Sequence, residues 1–398
     1  MEPNIRLAGT SGLPVAAAIA AFVFMLLGSS GAFAQPAADS TLTPGTTPAD
    51  PAPAAPRGVD PAQFPSGAPP AGSSITNPAI SVIGWFQAAA GNDPAAAEHA
   101  FELHEAELAF QAAVDPFTRA DFFMSASPAG FELEEGYITW LALPLNAQAK
   151  VGKFRADLGK FNRTHPPETP FADRPLSTEA FLGEEGLVTT GASLSTLISN
   201  PFGLYWDATA NVGNLPDADE QPTFQAVTRS DLLALGRTSV FVPAGTATDL
   251  NLGLSYANGL AREDARETEG NRAQLGTADV TLRWKNPRRS IYRSLVAQTE
   301  FTALQGSDTD AERYMGWFGY ALYQFARQWK LGGRYDWTES PGDHANSTGA
   351  LALLQYQPSE FSTMSVQLRR IWEPGDQSRD AAFFKWTFNI GPHGAHPY

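Results

Sequence analysis

From Pro78 onward the chain alternates apolar and polar positions with a period of two, in runs separated by turn-forming residues. The last run is the clearest. Ala382, Phe384, Trp386, Phe388 and Ile390 share one face, and Lys385, Thr387 and Asn389 share the other. Trp329, Leu331, Gly333, Tyr335 and Trp337 alternate in the same way with Lys330, Gly332, Arg334 and Asp336. Met364, Val366 and Leu368 stand against Ser365, Gln367 and Arg369. Period two is the repeat of a β-strand, whose successive side chains leave opposite faces. The pattern predicts strands near 81–89, 101–114, 117–126, 131–142, 147–158, 187–198, 202–213 and 230–241. It continues with 249–258, 274–285, 293–304, 313–325, 329–337, 348–357, 361–372 and 381–398. Within the eighth, Asp231-Leu232-Leu233-Ala234-Leu235 reads equally as the start of a helix.

A soluble sandwich would alternate too, since its strands have one wet face. Two features point instead to an all-β, closed antiparallel transmembrane barrel of about 16 strands. Aromatic residues gather at strand ends, where interfacial girdles belong. The connections also sort by parity. Asp115-Pro116, Pro144-Leu145-Asn146, Ser199-Asn200-Pro201, Ala326-Arg327-Gln328 and Pro358-Ser359-Glu360 are tight and fall at one rim. The opposite set is longer and more charged, as in 259–273 and 373–380, with a short exception after Ser127. An even number of strands returns both ends of the barrel to the rim of the tight turns.

The N-terminus adds a compartment. Arg6, the apolar run Leu13 to Leu27 and Ala32-Phe33-Ala34 before Gln35 form a charged, hydrophobic and small-residue series that reads as a cleavable signal peptide over 1–34. Residues 35–77 are rich in Pro, Ala, Thr, Ser and Gly and bury too little to order themselves, so they read as a disordered linker. The barrel is expected over 78–398. With 27 Lys and Arg against 42 Asp and Glu the chain is acidic, which argues against a nucleic-acid partner. It has no cysteine, which removes disulfides and thiolate metal sites.

One connection stands apart. Between the fifth and sixth strands the chain runs from Lys160 to about Gly186, rich in proline and aromatics. Connections longer than about 15 residues inside a compact fold are usually functional or disordered. This one reads as a stiff loop folded into the barrel as a constriction. Lys153-Phe154-Arg155-Ala156-Asp157, Gly159-Lys160-Phe161-Asn162-Arg163, His165, Pro170-Phe171-Ala172-Asp173-Arg174-Pro175 and Gly183-Glu184-Glu185-Gly186 resemble a set of Gram-negative outer-membrane proteins. The ending Gly391-Pro392-His393-Gly394-Ala395-His396-Pro397-Tyr398 is similar to the same set. Its members are porin-like and are often labelled zinc-regulated TonB-dependent outer-membrane receptors. The resemblance spans roughly residues 78 to 398. It implies an outer-membrane location and a sixteen-strand type of barrel.

If the apolar face meets lipid, the polar face lines a lumen. That face would carry Arg119, Lys153, Arg155, Arg283, Lys330, Arg334, Arg369 and Lys385, with Glu105, Glu107, Asp121, Glu300 and Asp336. The long loop would add Arg163, His165, Glu168, Asp173, Arg174, Glu184 and Glu185 to the constriction, its acids facing the basic wall. Charges at membrane depth are tolerated when they face water. No metal or other cofactor is expected. His165, His393 and His396 are the candidate ligands, weighed against turn capping and strand packing. No Ser/His spacing or paired-carboxylate arrangement points to an enzyme. The reading is a porin for passive diffusion of small hydrophilic solutes, the alternative a metal- or ligand-specific receptor. Its expected partners are outer-membrane lipid and lipopolysaccharide, the barrel-assembly machinery and two further copies in a homotrimer. Tyr398 would supply the terminal aromatic residue with which such barrels close.

Overall fold

The computed structural model describes residues 78–94, 100–128, 130–215, 221–261, 271–306, 313–341, 345–375 and 377–391. The expected signal peptide, the linker, His393, His396 and Tyr398 lie outside these residues. Sixteen antiparallel strands form a closed barrel in which each pairs with its sequence neighbours. They are β1 (Ala79–Gly91), β2 (Phe101–Ala113), β3 (Thr118–Ser127), β4 (Gly130–Leu143), β5 (Ala147–Arg155), β6 (Val188–Leu197), β7 (Tyr205–Asn214) and β8 (Leu232–Pro243). The second half comprises β9 (Thr248–Leu260), β10 (Arg272–Lys285), β11 (Ser294–Gly306), β12 (Arg313–Ala326), β13 (Trp329–Glu339), β14 (Asn346–Ser359), β15 (Ser362–Glu373) and β16 (Gln377–Ile390). The seam is β1 on β16, in register from Val82 opposite Ile390 to Gly91 opposite Ala381. Closure satisfies every ladder and leaves no free edge.

Tight turns occupy the expected rim. Asp115 turns the chain there by accepting the N–H groups of Phe117 and Thr118 at 2.8 Å each. The ambiguous eighth segment is a strand. Leu232 is exposed on the outside while Leu233 and Leu235 are buried within, an alternation a helix could not give. Two expectations are corrected. The connection expected over 373–380 is short, because β15 and β16 run on to Glu373 and back from Gln377 and pair there. The last strand ends at Ile390 rather than at 398, with Gly391 at φ 93° breaking the extended backbone.

The two faces differ as the alternation requires. Leu252, Leu254, Leu331, Tyr335 and Leu368 are exposed on the outside. Aromatic pairs sit toward both rims, Trp329 with Tyr356 at 4.7 Å and Trp317 with Tyr335 at 6.0 Å between ring centres. Inside, Arg237, Asp279, Glu300, Arg334, Asp336, Arg369 and Lys385 are buried. Lys153 is a correction. It follows Val151, which is exposed on the outer face, and its Nζ reaches the Leu133 carbonyl at 2.7 Å and Glu132 at 3.3 Å. Lys150 takes the inner position, its Nζ 4.2 Å from the centre of the Tyr137 ring.

The chain between β5 and β6 is what positions the interior. It leaves Arg155, forms short 3-10 turns at Phe161–Arg163 and Pro166–Glu168 and a helix, α1 (Leu176–Leu182), then returns at Val188. Asn162 ties its two ends together. Its Nδ2 donates to the Ala156 and Leu187 carbonyls at 2.9 and 3.0 Å, and its Oδ1 accepts from the Leu187 N–H at 2.8 Å. Ala156, Leu158, Phe181, Leu182 and Leu187 of this segment join Leu233, Leu235, Ala257, Leu275 and Leu304 of β8–β11 in an apolar core inside the barrel. Each fully buried Leu or Phe there stabilises the packing by about 1.5–3 kcal/mol. The inner wall is therefore apolar where the segment rests on it and polar elsewhere.

Candidate functional site

The interior site is built by segment 156–187 and the strand faces that hold it. At its start, Gly159 has φ +65° and lies so near Glu300 that a Cβ would overlap the carboxylate. The Glu300 Oε2 accepts the N–H groups of Lys160 and Phe161 at 2.9 and 3.2 Å, and Ser255 Oγ accepts that of Gly159 at 3.1 Å. A carboxylate thus caps the first 3-10 turn from across the lumen.

Farther along, Lys385 of β16 donates to the carbonyls of Pro166, Thr169 and Phe171 at 3.1, 2.9 and 2.9 Å. Its Nζ also lies 3.9 Å from the centre of the Trp85 ring. Pro166, Pro167 and Pro170 hold the backbone stiff, so these carbonyls are presented together without much loss of chain entropy. Gln367 Oε1 accepts the Ala172 N–H at 3.1 Å. Asp173 then meets three side chains of the far wall: Arg334 at 2.6 Å, Arg369 at 2.8 Å and Gln367 at 2.5 Å. Arg334 also binds Asp336 at 2.9 Å, and Arg369 binds Asp93 at 2.6 Å. α1 finally packs on β12, β13 and β14, against the backbone of Gly316 and Gly349.

A second polar cluster forms where the segment meets β2 and β4. His165 Nδ1 lies 2.9 Å from Glu107 Oε2 and 3.2 Å from Glu134 Oε2, and its Nε2 lies 2.7 Å from Glu135 Oε1. Arg155 Nη2 donates to Glu134 at 2.9 Å, and the Arg155 N–H donates to Glu135 Oε2 at 3.1 Å. Consecutive residues of a strand normally face opposite ways. Glu134 and Glu135 both point inward because β4 carries a bulge there: Phe123 pairs with Glu135 while Met124 pairs with Leu133. Glu107, Glu134 and His165 are all buried and offer ligand atoms within 4.8 Å of one another.

The expected site residues therefore divide. His165, Asp173, Arg155, Arg334, Arg369 and Lys385 meet at the contacts between segment and wall. Arg174 donates to the Glu185 carbonyl at 3.0 Å, and Arg163 pairs with Asp157 at 3.2 Å. Glu184 and Glu185 are exposed, and Glu168 is half-buried in its 3-10 turn. Arg119 turns to Asp121 on its own strand at 2.6 Å. Arg283 and Lys330 stay half-buried on the inner face. The expectation of loop acids facing a basic wall across the narrowest part is revised at Asp173. It touches Arg334 and Arg369, because pairing recovers the desolvation cost that separated buried charges would carry. Glu134 and Glu135 are not among the site residues expected from the sequence. Arg237, bound to Asp279 at 2.7 Å, and Asp93 were not singled out from the sequence.

No family model matches the chain. An uncharacterised protein of Aquifex aeolicus (strain VF5) is 28% identical over 335 residues, covering 75% of this chain and 70% of that one. Among solved structures, the chain is similar to an anion-selective porin from Comamonas acidovorans. The TM-score is 0.54 at 9% identity, over 79% of this chain and all (100%) of that one. It is also similar to the trimer form of in-vitro folded OmpT, an outer-membrane protein of Vibrio cholerae. That match has a TM-score of 0.52 at 9% identity, again over 79% and 100% of the two chains. These likenesses show a porin-type barrel fold. The TonB-dependent label receives no support from them. Plugged transporters of that kind have about 22 strands. This barrel has sixteen, and its interior is entered by its own β5–β6 connection.

Proposed function

We propose that the chain is an outer-membrane porin through which small hydrophilic solutes diffuse passively, with segment 156–187 setting the aperture. The observation that carries this reading is the route of that segment. It is held in turn by β2, β4, β9, β11, β13, β15 and β16, so it crosses the lumen rather than lying along one wall. An apolar outer belt with aromatic rims suits lipid, and a charged inner face suits water. The porin fold of the structural neighbours supports the same reading.

Residues 1–34 would direct export and residues 35–77 would form a linker ahead of the barrel. Outer-membrane lipid and lipopolysaccharide would surround the belt, and the barrel-assembly machinery would insert it. Assembly as a homotrimer belongs to the proposal, since OmpT of Vibrio cholerae is described in a trimer form. The reading assigns no reaction to the chain.

Planar-bilayer recording tests it. The purified chain should give stepwise ohmic currents, and a salt gradient should give a reversal potential that reports the sign of the inner charges. Absence of discrete conductance from a folded, inserted barrel would overturn the reading.

A further inference from the structure

Glu107 is the unusual member of the interior cluster. It is 1% exposed, its one ion-pair partner among the described residues is His165, and its Oε1 makes no hydrogen bond. A buried carboxylate with an unsatisfied oxygen is costly unless a cation compensates it. His165 sharpens the question, because carboxylates face both of its ring nitrogens. Such a ring carries either two protons, or one proton and a cation at the other nitrogen.

The geometry distinguishes the two nitrogens. Nε2 lies 2.7 Å from Oε1 of Glu135, the arrangement of an N–H donating to a carboxylate. Nδ1 faces two oxygens, from Glu107 and Glu134, at 2.9 and 3.2 Å. Metal-bound histidines commonly donate their second N–H to a carboxylate, which fixes the tautomer and raises the basicity of the ligating nitrogen. Tetrahedral coordination with bonds of about 2.1 Å requires ligand atoms about 3.4 Å apart. The Nδ1 separations, 2.9 Å to Glu107 and 3.2 Å to Glu134, are both shorter than that spacing, so small side-chain rotations would have to open them for an ion.

We propose that Glu107, Glu134 and Nδ1 of His165 bind one divalent transition-metal ion, with Glu135 orienting the imidazole. One imidazole nitrogen with carboxylate oxygens suits Zn²⁺, Mn²⁺ or Fe²⁺. It does not suit Ca²⁺, which takes six to eight oxygens, or Cu⁺, which prefers sulfur. Glu107 belongs to β2, Glu134 to the bulge of β4 and His165 to the interior segment. The ion would therefore staple that segment to the wall. Arg155, in contact with Glu134, offsets part of the carboxylate charge and holds the bulge in place.

The test uses the untagged full chain in detergent, stripped with chelator and dialysed against micromolar Zn²⁺. A parallel preparation carries His393→Ala and His396→Ala, to remove the C-terminal histidines as a source of binding. One equivalent should be retained in both. Glu135→Gln should weaken retention by about 10–100-fold, and Glu107→Gln with Glu134→Gln should abolish it. Heat-modifiable migration on gels verifies that each variant is a folded barrel. X-ray absorption of Zn²⁺ bound to the unsubstituted chain supplies a readout independent of variant folding, expected to show one imidazole among oxygen ligands. Failure to retain an equivalent would overturn the proposal and leave His165 as an imidazolium anchor. Retention unchanged by the double Glu substitution, or a spectrum with several imidazoles, would overturn it equally.

Discussion

Asp173 Oδ2 lies 2.6 Å from Arg334 Nη2, across 161 positions of sequence and from the tip of an interior segment to the opposite wall. The same oxygen lies 2.8 Å from Arg369. One carboxylate thus joins the segment to two strands of the wall, β13 and β15.

Asp173→Asn should release the segment without opening the barrel. Each charge-assisted hydrogen bond lost costs about 1.5–3 kcal/mol. Arg334 and Arg369 keep Asp336 and Asp93 as partners, so neither is left as an uncompensated buried charge. The chain contains no cysteine, so Ser177→Cys provides a single reporter on α1, where Ser177 is 1% exposed. Maleimide should label it slowly in the otherwise unsubstituted protein and much faster when Asp173→Asn is added. Equal rates would show that the anchor does not hold the segment.

Gly316 tests the other end of that anchor. A Cβ at this position would overlap Ser177 Cβ and come within 2.9 Å of the Phe181 ring. Gly316→Val should push α1 off β12, at an overpacking cost of about 1–3 kcal/mol. The expected outcome is faster labelling of a cysteine at position 177 with unchanged heat-modifiable migration. Loss of the barrel itself would mean that the helix is part of the wall's stability.

Much of the barrel was legible because its two faces differ in polarity, and strand alternation writes that difference into the sequence. Over Trp329–Trp337 of β13 and Met364–Arg369 of β15, large apolar residues keep to one parity and the charged and polar side chains to the other, and the structure places them accordingly. The interior was less legible, for reasons that lie in particular residues. The bulge beside Glu134 puts consecutive residues on one face, and no period-two pattern announces it. Lys153 was assigned to the lumen together with Arg155, but Arg155 turns inward only where β5 ends and the segment begins. The partners of Asp173 come from strands brought opposite by closure, which local sequence does not encode. Leu233 and Leu235 are apolar yet face inward, because they meet the segment rather than water.

Arg283 and Lys330 bear on selectivity. Both are half-buried on the inner face, and neither takes part in the Asp173 network. Charges of this kind set the potential met by a passing ion. Replacing both with Ala should move the reversal potential in a salt gradient toward cation preference, leaving conductance nearly unchanged. An unaltered reversal potential would place the selectivity-determining charges elsewhere.

Segment 156–187 is proposed to narrow an otherwise open barrel, and single-channel conductance of a chain lacking 163–180 measures that directly. The strands hold the closed ladder without that stretch, so the shortened chain should remain a heat-modifiable barrel. Its conductance should rise well above that of the full chain, with weaker charge selectivity. An unchanged conductance in a folded barrel would contradict the account.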